Sequence, residues 1–244
     1  MPDGRATGLK FGQSALDYQR GRPDWPEEVL AGIPVPPDAY VLDLAAGTGK
    51  LTRLLTRRYA NVVAVEPDDA MRALIEDVEA HRGTAEAIPL PDASFDAVFV
   101  AEAFHWFDAE RALGEIARVL RPRGFLVLLW SAVWDWDPPM PDEAMELLSE
   151  VFVRMGRPGG PSYASGEWRS SLEGSPFEPL RERHFRRELV LDADRTVSLW
   201  LSVSSVAALP DDERAALGER LRALVTEARR FMPRTDLHWT RLRA

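Results

Sequence analysis

The sequence contains no cysteine, which excludes disulfide bonds and thiolate metal sites. It has no apolar run close to the roughly 20 residues that span a bilayer, so we expect no membrane segment. The net charge of -9 weighs against non-specific nucleic-acid binding, because such binding depends on neutralising phosphates. The first residues carry no apolar core of a secretory signal, so we expect a cytoplasmic location.

Short apolar runs alternate with helical patterns between residues 41 and 130. The runs are apolar on both faces, as strands inside a parallel sheet are. They are Val41–Leu44, Val62–Val65, Phe95–Val100 and Phe125–Trp130. Between them, apolar residues recur at helical spacing in three groups: Leu51, Leu54, Leu55; Met71, Leu74, Ile75, Val78; and Leu113, Ile116, Ala117, Leu120. This alternation predicts a doubly wound, mostly parallel α/β fold.

The regular alternation of strand and helix patterns ends after Trp130. Residues 132–183 are rich in proline and glycine, and we interpret them as an insertion before the sixth strand with one helix at about 142–155. The rest of the chain predicts a strand at "HFRRELVLD", helices at 194–207 and 211–230, and an antiparallel edge strand at "TDLHWTRLR".

The turn in "VLDLAAGTGK" suggests a phosphate-binding loop, and this hypothesis can be tested on the residues. A P-loop needs a glycine, four residues, Gly-Lys and then Ser or Thr. Leu44 and Leu51 occupy the first and last of these positions, so the P-loop hypothesis fails.

A dinucleotide-binding loop is the second candidate. Its pattern G-x-G-x-x-G finds Gly47 and Gly49, but Thr52 takes the third position. Glu66 ends the next strand, where a carboxylate can accept both hydroxyls of a ribose. Because this contact serves any adenosine ligand, an NAD-dependent oxidoreductase remains an alternative at this point.

A third pattern accounts for more of the chain. Residues Asp43 to Gly49, "DLAAGTG", resemble the first motif of class I S-adenosylmethionine (SAM)-dependent methyltransferases, acid-x-Gly-x-Gly-x-Gly. "VVAVEPDDAM", "GTAEAIPLPDASFDAVFVAEAFHWF" and "ARVLRPRGFLVLLW" resemble the motifs that follow in this family, and "FGQSALDYQRGRPDWP" resembles its amino-terminal lid. The resemblance covers residues 11–130 and is closest to the methyltransferase type 11 group, which includes trans-aconitate-methyltransferase-like proteins.

The resemblance implies SAM as cofactor and a seven-stranded Rossmann-like sheet. The cofactor-binding residues that it implies are Tyr18, Asp43, Ala45, Gly47, Gly49, Glu66, Pro67, Met71, Thr84, Ala85, Glu86 and Ala101. Ala45 replaces the first motif glycine, a change that we expect to be tolerated if its φ is negative. Thr84 stands where many members carry an aspartate for the adenine amino group.

Methyl transfer needs a general base only when the acceptor atom is protonated. His105 follows the fourth strand at the edge where ligands bind, so it is a candidate base, and the alternative is that His105 and Trp106 only shape the loop. The residues of a predicted aromatic substrate pocket are Trp106, Trp134, Trp136, Tyr163 and Trp168. For any single aromatic residue of this group, core packing is the favoured alternative. The histidines show no metal-ligand spacing, so we expect no metal.

The combined prediction is one methyltransferase domain over residues 1–244. Its segments are an amino-terminal lid (1–38), a SAM-binding core (39–131), a substrate-side insertion (132–183) and a completion of the sheet (184–244). We expect methylation of a small organic molecule, because Ala101 to Phe104, "AEAF", replaces the Asn/Asp-Pro-Pro-Tyr element of enzymes that methylate amino groups of adenine or glutamine and because the chain is acidic. Among acceptor atoms, we favour oxygen over nitrogen or carbon. The alternatives are the NAD-dependent oxidoreductase and a catalytically silent SAM-binding regulatory module.

Overall fold

The computed structural model describes residues 15–132, 140–155 and 163–244, and the chain divides into two compact units. The sheet unit comprises Asp24–Ser131, Gly160–Phe185 and Thr235–Ala244. The helical unit comprises Met1–Pro23, Ala132–Gly159 and Arg186–Arg234. Each unit therefore combines pieces that are distant in sequence, and the single domain with four segments stays a prediction.

The described strands and helices are numbered in chain order. The strands are β1 (Tyr40–Leu44), β2 (Asn61–Val65), β3 (Glu79–His81), β4 (Phe95–Ala101), β5 (Leu120–Ala132), β6 (Arg181–Arg186), β7 (Leu189–Leu191), β8 (Arg229–Phe231) and β9 (Arg234–Arg241). The helices are α1 (Ala15–Gly21), α2 (Lys50–Thr56), α3 (Asp69–Arg72), α4 (Ala109–Val119), α5 (Asp142–Met155), α6 (Ala193–Leu201), α7 (Ser204–Ala207), α8 (Asp211–Leu224) and short 3-10 helices at Glu27–Leu30, Phe104–Trp106, Tyr163–Ser165 and Glu167–Leu172.

The sheet unit is organised around seven strands in the order β3-β2-β1-β4-β5-β9-β6. The four pairs from β3 to β5 are parallel, which confirms the predicted doubly wound α/β sheet. The chain crosses from β1 outward to β2 and β3 and then returns to β4 on the other side of β1. This reversal creates a switch point at the carboxyl ends of β1 and β4, where ligands of open α/β sheets bind.

The central strands are buried on both faces, as their continuous apolar sequences require. One face packs Leu42, Val98 and Leu128 in a cluster with the apolar side of α4. The other face packs Val41, Phe99, Val127 and Leu129 with α2. Burying each such side chain contributes about 1.5–3 kcal/mol, so the sheet holds its carboxyl edge on a rigid base.

The helical unit is described by itself. Helix α5 coincides with the helix predicted at about 142–155, and it packs with α6, α7 and α8. The helix predicted at 194–207 is interrupted after Leu201, and the one predicted at 211–230 ends at Leu224. Strands β7 and β8 form a separate antiparallel pair. Among the described helices, none has the length and apolar character of a membrane span.

Two predicted helix boundaries are wrong. The helix predicted through Val78 ends at Arg72, because Leu74 and Ile75 donate to carbonyls three residues back and Asp77 then has a φ of 64°. The sequence predicts Leu120 on the apolar side of a helix, but in the structure Leu120 begins β5 directly after α4. Helical spacing over a few residues cannot separate a helix from a tight turn.

The two carboxyl-terminal strand predictions also differ from the structure. "HFRRELVLD" divides between β6 and β7, which belong to different sheets. Strand β9 is not an edge strand but lies between β5 and β6. Its interior position follows from burial on both faces, since Leu237 and Trp239 pack on one side while Asp236 and His238 are buried as well.

The segment "RPRG", residues 121–124, forms a bulge at the start of β5. Phe95 pairs with Leu120 and the next pair is Ala97 with Phe125, so residues 121–124 bulge out of the register. An added Cβ on Gly124 would lie 2.9 Å from Leu120 Cδ2 and 3.0 Å from the Arg121 carbonyl oxygen. The bulge therefore depends on the absence of a side chain.

We predict that Gly124→Ala destabilises the protein by about 1–3 kcal/mol, because backbone atoms must move to admit the methyl group. Gly114→Ala is the matched control, since Gly114 is exposed on α4 with nothing within 4 Å of the added Cβ, and it should stabilise by about 0.5–1 kcal/mol. Urea unfolding midpoints measure both changes. A shift of both variants in the same direction would contradict the bulge geometry.

Candidate functional site

The turn between β1 and α2 is built from left-handed residues. Ala45, Gly47 and Gly49 have φ angles of 58°, 58° and 76°. Gly49 is also the N-cap of α2, so the chain leaves β1 and enters the helix within five residues. The condition under which alanine at position 45 was expected to be tolerated, a negative φ, is not met: Ala45 adopts a conformation that normally favours glycine.

Glu66 connects the end of β2 to this turn. Its side chain is buried, with 5% exposure, and its carboxylate accepts the Gly47 N–H at 2.8 Å and the Asp68 N–H at 2.9 Å. Burial raises the pKa of Glu66, while these two hydrogen bonds oppose the increase. The carboxylate is thus held at the carboxyl edge between the first two strands.

Asp43 is a second buried carboxyl group, at the end of β1. It has no solvent exposure; Oδ2 accepts the Thr52 hydroxyl at 2.6 Å, and Oδ1 has no hydrogen-bond partner among the described residues. Burial raises the pKa of Asp43 to about 7, with a further increase from the charge of Glu66 and a decrease from Thr52. Two buried acids therefore lie at one turn, and the charge of Arg72 acts on Glu66.

Other predicted cofactor residues of the sheet unit lie in the segments that follow β2 and β3, and Ala101 is the last residue of β4. Met71 is buried, with its Sδ 3.9 Å from the position of a Cβ on Gly47. Thr84 forms an isolated bridge with Ala87, and Glu86 accepts the Asp108 N–H at 2.9 Å. Ala85 is buried, while Pro67 and Ala101 are partly buried. These contacts place Met71 against the glycine turn and join Glu86 to the start of α4.

Tyr18 belongs to the helical unit. It lies on α1, and the guanidinium of Arg22 is 5.4 Å from the centroid of its ring. Residues 1–14 of the predicted lid lie outside the described residues. The cofactor role of Tyr18 stays a prediction.

His105 lies on the 3-10 helix after β4, and its geometry argues against the predicted base role. Trp130 Nε1–H donates to His105 Nδ1 at 3.1 Å. Burial lowers the pKa of His105 to about 4, so the neutral ring carries its proton on Nε2. The nitrogen that could reach an acceptor is therefore a donor, and the contact supports the alternative that His105 shapes the loop.

The predicted aromatic pocket residues are only partly described. Trp134 and Trp136 lie outside the described residues. Tyr163 and Trp168 both pack on Trp130, each with ring centroids 4.5 Å apart, and Trp168 is 4% exposed. The ring of Trp106 is 4.9 Å from that of His105. Trp168 is therefore a core residue, and a pocket role of Tyr163 and Trp106 stays a prediction.

Two acids that sequence analysis did not select are prominent in the structure. Glu102, directly after β4, has a φ of 56°, and its Oε1 accepts the Ser131 N–H at 2.6 Å. Asp236 on β9 is fully buried and contacts the Tyr163 hydroxyl and, at 2.6 Å, His184 Nδ1. The position of Glu102 at the end of a predicted strand could have indicated a functional residue from the sequence. Nothing in the sequence around Asp236 indicated one.

A family model for a methyltransferase domain matches residues 42–128. An uncharacterized methyltransferase of Mycobacterium bovis is 44% identical over 161 residues, which cover 64% of this chain and 63% of that protein. An uncharacterized methyltransferase-like protein of Schizosaccharomyces pombe is 33% identical over 235 residues, 93% of this chain and 88% of that protein.

Solved structures agree with the fold. A protein of Anaeromyxobacter dehalogenans, provisionally assigned as a type II methyltransferase, superposes with a TM-score of 0.65 at 23% identity and covers 91% of this chain and 98% of its own. At this identity the likeness concerns the architecture alone.

We predict that Ala45→Gly relieves steric strain in the turn. The left-handed conformation costs an L-residue about 1–2 kcal/mol, and the added unfolded-chain entropy of glycine offsets about 0.4–1 kcal/mol of the relief. Ala46→Gly is the matched control, because Ala46 is not among the residues with positive φ and should only lose stability. Urea unfolding should separate the two variants by about 1–2 kcal/mol. Equal losses would contradict strain at Ala45.

The raised pKa of Asp43 predicts a pH-dependent stability. Because the ordinary value is 3.8 and the folded value is about 7, protonated Asp43 stabilises the fold most at low pH, and this contribution is lost as the pH rises to about 7. Asp43→Asn keeps an acceptor for Thr52 without the charge. Between about pH 5 and about pH 8 the variant should gain on the order of 2 kcal/mol relative to wild type in urea unfolding. A constant difference would contradict a neutral folded-state Asp43.

Proposed function

Because this chain belongs to the class I SAM-dependent methyltransferases, we propose that it transfers a methyl group from SAM to a small organic molecule, with oxygen favoured as the acceptor atom. The single observation that carries the cofactor assignment is the pair of buried acids, Asp43 and Glu66, beside the left-handed turn. The acceptor is a proposal, since the match to the mycobacterial relative spans 63% of that protein.

The residues present fit SAM. Asp43 Oδ1 is buried without a hydrogen-bond partner among the described residues, and the charge of Glu66 disfavours its ionisation. A ligand that carries a sulfonium and an ammonium group would bring positive charge to this turn, where Asp43 has no cation among the influences on its pKa. Glu66 would offer its carboxylate to the ribose hydroxyls; in the structure this carboxylate accepts the N–H groups of Gly47 and Asp68.

The same charges argue against NAD. A dinucleotide brings a pyrophosphate with two negative charges to the glycine turn. Asp43, which lies beneath this turn, would repel these charges in its ionised form, and burial strengthens that repulsion because water screens it poorly. The dinucleotide pattern also requires a glycine at position 52, where this chain has Thr52. The Thr52 hydroxyl donates a hydrogen bond to Asp43, and this difference from the pattern also argues against NAD.

The proposed role of the protein is to hold and orient SAM and the acceptor and to exclude water from them. Glu66 would bind the ribose diol, the turn at Gly47 and Gly49 would admit the methionine portion, and Met71 would pack beside the adenine. SAM supplies the electrophilic methyl group, and the protein mainly supplies proximity and orientation. His105, with its proton on Nε2, would donate a hydrogen bond to the acceptor or position the loop.

Equilibrium binding tests the cofactor assignment. We predict saturable binding of SAM by isothermal titration calorimetry and no NAD binding at the same concentrations. Glu66→Gln retains one acceptor oxygen but loses the charge, so SAM affinity should fall about tenfold or more. Glu79→Gln on β3 is the control, since Glu79 is exposed and should leave affinity unchanged. Saturable NAD binding without SAM binding would refute the assignment.

Turnover tests the enzymatic function. Radiolabelled SAM with a panel of phenols, alcohols, carboxylic acids and amines should yield a methylated product from at least one acceptor. SAM binding without turnover on the whole panel would favour the silent regulatory module over the enzyme.

A further inference from the structure

Glu102 continues the pairing of β4 with β5 by one residue. Ala101, the last residue of β4, pairs with Leu129, so Glu102 stands opposite Trp130 in the parallel register. In a regular parallel ladder, such a residue donates its N–H to the residue before its partner and accepts the N–H of the residue after it on its own carbonyl. The Glu102 N–H meets the first requirement, since it donates to the Leu129 carbonyl at 2.8 Å.

The side chain of Glu102 meets the second requirement. Glu102 has a φ of 56°, in the left-handed region, so its backbone departs from strand geometry. Its side-chain Oε1 accepts the Ser131 N–H at 2.6 Å, where a backbone carbonyl would accept it in a regular ladder. The carboxylate therefore lets the chain leave β4 while β5 stays bonded as far as Ser131.

Trp130 lies between the two β5 residues that Glu102 contacts. Its side chain is buried, and the rings of Tyr163 and Trp168 pack on it, each with its centroid 4.5 Å away. The two bonds from Glu102 thus hold the backbone on both sides of Trp130, and the neighbouring rings hold its indole. The direction of the indole N–H is fixed as a result.

This N–H determines the tautomer of His105. Trp130 Nε1–H donates to His105 Nδ1 at 3.1 Å. Because an indole N–H can only donate, Nδ1 must be unprotonated, and the neutral ring carries its proton on Nε2. Burial lowers the pKa of His105 to about 4, so the ring is neutral at about pH 7. The contacts that begin at Glu102 therefore return to the same loop three residues later.

We propose that Glu102 is a positioning residue, whose carboxylate acts through Trp130 to hold the His105 ring in one orientation with its proton on Nε2. The inference rests on the proposed function, in which His105 donates to the acceptor or positions the loop, and both roles need a fixed ring. Glu102 neither takes nor gives a proton in this role. An amide oxygen at this position can therefore replace the carboxylate oxygen.

The position of the loop connects this contact to methyl transfer. The 3-10 helix that carries His105 follows β4 at the carboxyl edge, beside the switch point between β1 and β4. A displacement of about 1 Å in a positioned group can lower a rate about 100-fold. Loss of the Glu102 contact should therefore slow turnover although no reacting group is removed.

Nuclear magnetic resonance tests the orientation of the ring without any turnover. The chain has four histidines, so nitrogen-15 labelling of histidine gives four rings, and His105→Asn identifies the signals of His105. In wild type at about pH 7, we expect an unprotonated Nδ1 and a protonated Nε2. Trp130→Phe keeps an aromatic ring without the N–H and should give the averaged signals of two tautomers.

Two substitutions of Glu102 separate positioning from charge. Glu102→Gly removes the carboxylate, while glycine tolerates the φ of 56°, and it should give the averaged signals of two tautomers as well. Glu102→Gln keeps an oxygen for the Ser131 N–H and should give the wild-type signals. A cooperative urea transition establishes that each variant is folded.

Turnover of the full chain with tritiated SAM gives the second readout. On an acceptor that wild type methylates, Glu102→Gly and Trp130→Phe should lower kcat about tenfold or more. Glu102→Gln should keep about half of the wild-type kcat or more. Glu110→Gln is the matched control, because Glu110 is exposed on α4, and its kcat should not change.

Two results would overturn the positioning role: wild-type tautomer signals in Glu102→Gly, or a Glu102→Gln variant that loses as much turnover as Glu102→Gly. Either result would leave SAM-dependent methylation intact. A wild type that transfers no methyl group from SAM would instead refute the proposed function, and the resonance signals would still decide whether Glu102 fixes His105.

Discussion

The hydrogen bond between the Glu66 carboxylate and the Gly47 N–H, at 2.8 Å, is the contact on which the candidate site depends. It joins the end of β2 to the turn after β1, and the bond to the Asp68 N–H fixes the start of α3 as well. One buried acid thereby sets the shape of the turn and the position of the proposed ribose contact. The parallel sheet beneath supplies the rigidity that keeps these groups together.

Charge is the second constraint on the site. Asp43 and Glu66 are both buried, and burial raises the pKa of each. The protein therefore maintains two acids in an environment that disfavours their ionisation, and Asp43 has Thr52 as its hydroxyl partner. Such an arrangement lowers the stability of the folded protein when no cationic ligand is bound, and binding of a cationic ligand raises that stability. The family to which the chain belongs and the electrostatics of the site thus both favour SAM as the ligand.

The sheet was predictable because continuous apolar strands such as Val41–Leu44 have few alternatives to a buried parallel sheet. The glycine turn and Glu66 were predictable from spacing and resemblance. The φ angles of Ala45 and Glu102 were not, because hydrogen bonds from neighbouring strands impose them and no local pattern records those bonds. The interior position of β9 and the tautomer of His105 likewise depend on contacts between distant residues.

A crystal structure with S-adenosylhomocysteine tests the central claim most directly, because this product of methyl transfer retains the ribose and adenine of SAM. The account predicts that both ribose hydroxyls lie within hydrogen-bond distance of the Glu66 carboxylate and that the methionine portion follows the turn at Gly47 and Gly49. Density for the ligand elsewhere in the protein, or a ribose that avoids Glu66, would contradict it.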